Sequence, residues 1–117
     1  VKRRKEIHGK IGAVIEDLYA ERVEEYYEVL AYHYERSENK EKAVKYLDLA
    51  NQKACNACAL EDAKDYFYKA MEVLNTISDN EENHEKRISL LVNQMVVFEQ
   101  LFQLPEFLHR HLFLPLI

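Results

Sequence analysis

Two short patterns, twenty residues apart, constrain this chain more than any other feature. Ala43, Leu47 and Ala50 form a small-large-small run, and Ala63, Phe67 and Ala70 repeat it in phase. Spacings of four and three place each set on one face of a helix. Small residues let two helices cross closely, and the large residue between them fills the groove beside the crossing. A chain that repeats this device is built from helices packed against their neighbours. Composition agrees, with only two glycines and two prolines and an abundance of Ala, Leu, Glu and Lys. No segment alternates with period two for long enough to suggest a strand.

Five helical patterns follow one another. The first spans Lys2 to Tyr19, with Ile7, Ile11, Val14, Ile15 and Leu18 as its apolar stripe. Gly9 and Gly12 interrupt it at a cost of about 1 kcal/mol each relative to Ala, which points to a close helix crossing. The second spans Val23 to Arg36, with Val23, Tyr27, Leu30, Ala31 and Tyr34 on one face. The polar link Ser37 to Lys40 is short enough to favour an antiparallel neighbour. The third runs from Glu41 to Cys58, with Ala43, Leu47, Ala50 and Ala54 on its stripe. The fourth runs from Leu60 to Ile77 with Ala63, Phe67, Ala70, Met71 and Leu74. Ser78, Asp79 and Asn80 read as a turn and helix cap. The fifth spans Glu82 to Gln103 with Ile88, Leu91, Val92, Met95 and Phe102, and Pro105 is placed to open a further short helix.

The segment EYYEVLAYHYERSENKEKAVKYLDLA carries an internal repeat unit: aromatic, Leu, small, aromatic, turn, then Ala, large, Ala. It resembles the tetratricopeptide repeat, a helical hairpin that stacks into a solenoid. The helix from Glu41 to Cys58 would close one hairpin and open the next. Glu38 and Lys40 stand where the family usually has Gly and an aromatic, and Cys55 where it often has Pro. The fold expected is all-α: five or six antiparallel helices in a right-handed, tetratricopeptide-like stack over residues 1–117, with 105–117 starting a further, truncated repeat.

A narrower resemblance runs from residue 3 to about 104. His8, the stripe to Leu18-Tyr19, the run Leu30 to Arg36, Lys42-Ala43 and Tyr46-Leu47 look like the helical region that follows the nucleotide-binding module in large AAA or STAND signalling ATPases. Many of those also carry a class III adenylate or guanylate cyclase domain. The resemblance implies a regulatory helical array within a multidomain protein, and it transfers no catalytic residue. The chain opens on Val1 without an initiator Met and closes on apolar residues, so it reads as a piece of a longer polypeptide.

The net charge of −5 has acids and bases intermixed, which argues against a nucleic-acid or anionic-membrane surface. Lys2, Arg3, Arg4 and Lys5 form the basic cluster, read as a solvated first turn. No apolar run approaches a membrane span. With no signal peptide, and two cysteines spaced for a helix, the expected setting is the cytoplasm.

Cys55 and Cys58 form a C-x-x-C, the chain's sole cysteines. A redox site places this motif at a helix start, whereas here it falls at a helix end, where a thiolate is disfavoured. Zinc needs four ligands, and the H-x-H of His109 and His111 lies far outside finger spacing. Both cysteines therefore read as small buried packing residues, with a metal or redox module as the alternative. His8, His33 and His84 read as scattered surface or interface residues. No phosphate loop and no nucleophile-base spacing is present, so neither enzymatic activity nor a cofactor is expected.

In a tetratricopeptide hairpin the first helix lines the concave face. That resemblance puts Glu25, Glu28, Tyr32, Glu35 and Arg36 on the inner side, an acidic groove with an aromatic floor suited to a basic or amphipathic segment. Glu28 and Tyr32 occupy places where the family's terminal-carboxylate clamp has Lys and Asn. The expected function is protein interaction, with the chain's own flanking domains or another polypeptide as partner, and a stand-alone adaptor as the alternative. The apolar end from Phe107 to Ile117 is a place where a second copy could pair.

Overall fold

A computed structural model describes residues 2–77 and 79–108, with side chains described as far as Met95. Among these described residues five α-helices follow in order: α1 (Lys2–Leu18), α2 (Tyr27–Glu35), α3 (Lys40–Asn56), α4 (Leu60–Leu74) and α5 (Glu81–Leu108). No strand occurs among the described residues. The molecule is elongated, with principal extents of 63 × 31 × 26 Å. Each helix packs against the next in sequence, and α3 additionally touches α5.

The interior lies on the central three helices. Leu30, Ala31 and Tyr34 of α2, Ala43, Leu47 and Ala50 of α3, and Ala63, Phe67, Ala70 and Leu74 of α4 are all buried. The small-large-small faces thus meet as their spacing requires. Two polar residues join them: Asn51 Nδ2 donates to the Ala63 carbonyl at 2.7 Å, tying α3 to α4, and buried Asp48 pairs with Lys86 of α5 at 3.5 Å. Burial leaves such groups tolerable only when they are paired.

The connections show their chemistry. Ser37 Oγ donates to the Tyr34 carbonyl at 2.7 Å and accepts from the Asn39 amide at 3.1 Å. Asn39 Oδ1 then accepts from the Lys42 amide at 3.1 Å, capping α3. Asn80 Oδ1 does the same for α5, accepting from the Asn83 amide at 2.8 Å. These side chains satisfy amides that a helix start leaves without partners.

Two local expectations are corrected, and two apolar stripes prove to look outward. The helix expected from Val23 does not start there: Ala20–Tyr26 is a kinked 3₁₀ segment in which Arg22 leaves helical geometry (φ −130°, ψ 33°). Tyr19 and Tyr26 stack across that corner, their ring centroids 4.2 Å apart. The stripe of α1 does not face the interior: Ile7, Ile11, Val14 and Leu18 are exposed, and only Ile15 packs on the core. The stripe of α5 is exposed likewise at Ile88, Leu91, Val92 and Met95, while Leu90 and Gln94 are buried. Finally, α5 continues through Pro105 to Leu108 without a new helix start. The proposed pairing end, Phe107 to Ile117, and the pair His109 and His111 lie outside the residues whose side chains are described.

Candidate functional site

The five residues expected to line a binding groove lie on the 3₁₀ segment, on α2 and at its end. Each acid there has a basic neighbour. Glu25 lies 3.9 Å from Arg22, Glu28 lies 3.0 Å from Lys53 of α3, and Glu35 lies 3.9 Å from Arg36. Arg36 stacks its guanidinium 3.7 Å from the centroid of the Tyr32 ring and donates to the Tyr32 carbonyl at 3.1 Å. Half of Tyr32 remains exposed. The face is therefore a row of paired charges with an aromatic patch, rather than a bare acidic groove. Such pairs on an exposed surface contribute little to stability.

Beside Tyr32 the fold assembles a group that linear spacing did not reveal. His8 of α1 and His33 of α2 approach with their Nδ1 atoms 2.9 Å apart, and the rings of both lie edge-on to Tyr32. One ring must donate and the other accept. Burial, followed by the charges of His8 and Arg36, pushes the His33 pKa below its ordinary value. Twenty-five residues separate the two histidines, so only the docking of α1 brings them together.

A second polar group fastens α1 lower down. The Glu16 carboxylate accepts from the Tyr34 hydroxyl, from the Tyr46 hydroxyl at 2.5 Å and from Lys42 Nζ at 2.7 Å. Burial pushes the Glu16 pKa up, but the three hydrogen bonds and the Lys42 charge outweigh it, and the net shift is downward. Both tyrosines are pushed up, by burial first and then by the carboxylate. Just above, a Cβ on Gly12 would lie 2.7 Å from the Tyr34 ring, so glycine is what lets α1 approach. Gly9 has no such constraint, since its Cβ would sit 3.6 Å from that of Ser37.

The cysteines part company. Cys55 is half-buried in the last turn of α3, and burial raises its pKa. Cys58, expected to be buried beside it, is exposed. The reason is that α3 ends at Asn56, and Cys58 adopts a left-handed conformation at φ 58°. The Ala59 amide donates to the Ala54 carbonyl at 2.8 Å and the Cys58 amide to the Cys55 carbonyl at 3.1 Å. This is a Schellman closure with cysteine at the place glycine usually fills. Among the described residues no cluster of three or more His, Cys, Asp or Glu side chains is arranged to hold a metal ion.

Large apolar side chains stand exposed in rows on the two end helices. Val14 and Leu18 on α1 are 54% and 68% exposed, and Val92 and Met95 on α5 are 54% and 69% exposed. On α1 the side chains of Ile7, Lys10, Ile11, Val14 and Ile15 frame a shallow groove of about 260 Å³. Among the described residues no helix is long and apolar enough to cross a membrane. No family model, curated protein or solved structure matches the chain.

Proposed function

We propose that this chain is a non-catalytic helical-repeat module for protein interaction, with its helices stacked in the tetratricopeptide manner. The observation that supports it best is the contrast between closed centre and open ends. α2, α3 and α4 bury their apolar faces against one another, whereas α1 and α5 each leave a regular apolar stripe uncovered. Contiguous exposed apolar surface rimmed by charge marks an interaction site. The resemblance to the helical region of signalling ATPases, some fused to cyclase domains, supplies the setting: a cytoplasmic regulatory segment that docks flanking domains or another polypeptide. The charged and aromatic face at Glu25, Glu28, Tyr32, Glu35 and Arg36 is the second surface available to a partner.

Site-directed photo-crosslinking in the natural protein tests this. A photoreactive residue is introduced separately at Val14, Tyr32 and Met95, with exposed Lys69 on α4 as control. Adducts to polypeptide at one or more of the three sites, well above those at Lys69, are expected. Adducts to the protein's own flanking segments identify a regulatory region, and adducts to a different protein identify an adaptor. Yields no greater than the control at all three sites would overturn the reading.

A further inference from the structure

We infer that α1 of one copy and α5 of another pair side by side in parallel, so that the chain self-associates head to tail. This rests on the reading of the chain as an interaction module. Arg4, Ile7, Ile11 and Val14 follow one another at intervals of three, four and three along α1. Glu85, Ile88, Val92 and Met95 follow at the same intervals along α5. All eight residues are exposed. Intervals of three and four are those at which two helices interlock along one seam. Aligned in parallel, the two sets put Arg4 beside Glu85, then Ile7 beside Ile88, Ile11 beside Val92 and Val14 beside Met95.

Charge favours this arrangement over a parallel pair of α1 faces and over an antiparallel pair of α1 with α5. The first turns of α1 expose Lys2, Arg3, Arg4, Lys5 and Lys10 against one acid, Glu6, and these five cations form no ion pair among the described residues. The start of α5 exposes Asp79, Glu81, Glu82 and Glu85. Of its two cations, Lys86 pairs with buried Asp48 of α3 at 3.5 Å and Arg87 donates to the Asn75 side chain next to α4 at 2.9 Å. The outer start of α5 is thus acidic where that of α1 is basic. Two α1 faces in parallel would set base against base. An antiparallel pairing of α1 with α5 would bring the acidic start of α5 to Asp17 and Glu21. Because the two surfaces differ, the contact is heterologous, and it closes into a ring or continues as a chain of copies.

Sedimentation of the purified chain over rising concentration tests the proposal. The expected result is a weight-average mass that climbs with concentration and falls with added salt. Val14→Glu and Val92→Glu each bury an unpaired carboxylate in the seam and should weaken association by more than about tenfold. Circular dichroism of each variant should match the parent, since both positions are exposed. Mixing the two variants should restore a dimer and stop there, because each retains one competent face. Arg4→Glu should weaken association, and adding Glu85→Arg to the same chain should recover it. A parent chain that stays monomeric to millimolar concentration would overturn the inference while leaving the crosslinking test of the wider reading intact. Loss of association from Val14→Glu with none from Val92→Glu, or the reverse, would show a symmetric contact and overturn it equally.

Discussion

The central helices and the end helices carry similar apolar patterns and meet different fates. On α3 the stripe at Ala43, Leu47 and Ala50 is closed on both sides, by α2 and by α4. On α1 a stripe of comparable regularity looks outward, and the helix is held instead by a glycine, a carboxylate and a histidine. Periodicity tells which residues of a helix belong together. It does not tell whether their partner lies within the same chain. Hydrophobic closure gives the centre its strength, and a few polar contacts attach the end.

The largest expected effect separates the two regions directly. Leu47 is fully buried, and Leu47→Ala leaves a cavity between α2 and α4. It should lower stability by about 3 kcal/mol in urea or thermal unfolding. Val14→Ala, on the open face of α1, should change the stability of the monomer by less than about 0.5 kcal/mol. Similar losses at the two sites, at concentrations where the chain is monomeric, would mean that the α1 face is buried within the chain itself, and would dissolve the contrast.

Next in size is a pair of substitutions in one helix with opposite signs. Gly12→Ala drives a methyl group into the Tyr34 ring, whose hydroxyl is itself tied to Glu16. The ring cannot step aside without breaking that bond, and a loss of about 2 kcal/mol is expected from overpacking. Gly9→Ala meets only ordinary contact and should gain up to about 1 kcal/mol from helix propensity. Equal and favourable effects at both positions would show that α1 does not seat on Tyr34.

Acid should loosen the same attachment in two stages, each smaller than the Gly12→Ala effect. His33 in the folded chain binds its proton less readily than the unfolded chain does. Stability should therefore begin to fall as pH drops below about 6.5, the unfolded value, and level off below the folded one. Glu16 has a lowered pKa, so its contribution is complete above its ordinary value of 4.5 and is lost as pH falls through the folded value. Urea midpoints across this range should show both steps. His33→Gln should flatten the upper step and Glu16→Gln the lower. A parent chain with no slope below pH 6.5 would remove the histidine pair from the attachment.

These groups also mark where reading the sequence runs out. The α2, α3 and α4 stripes were legible because each is long, periodic and spent within the chain. The cap at Asn80 is legible because capping is a local matter, whereas the polar link that holds Asn39 reads only as a turn. The pairing of His8 with His33, and of Glu16 with Tyr34, Tyr46 and Lys42, depends on how α1 lies across α2, which no local spacing encodes. The inward turn of Asp48 is illegible for the same reason, since its partner Lys86 is thirty-eight residues away. The stripes of α1 and α5 are as regular as those of the centre, so spacing alone does not tell that they look outward. Glu25, Glu28, Tyr32, Glu35 and Arg36 lie along the kinked segment, α2 and its end, but two of the three bases that pair with their acids, Arg22 and Lys53, stand outside that pattern.

The smallest effect concerns the weakest point of the strong region. The α3–α4 corner is the tightest in the centre, yet it turns on a cysteine in left-handed geometry. An L-residue other than glycine pays roughly 1 kcal/mol or more there, because its Cβ crowds the backbone. Cys58→Gly removes that crowding but also gives the unfolded chain more freedom. The net expectation is a gain of about 0.5 kcal/mol, whereas Cys58→Val should cost more than it gains anywhere else on the surface. The thiols provide an independent check. Exposed Cys58 should be alkylated well before Cys55, which is half-buried and held in the thiol form by burial. Equal alkylation rates together with a destabilised Cys58→Gly would place both cysteines on a continuing helix, and the corner would then owe its turn to something other than this residue.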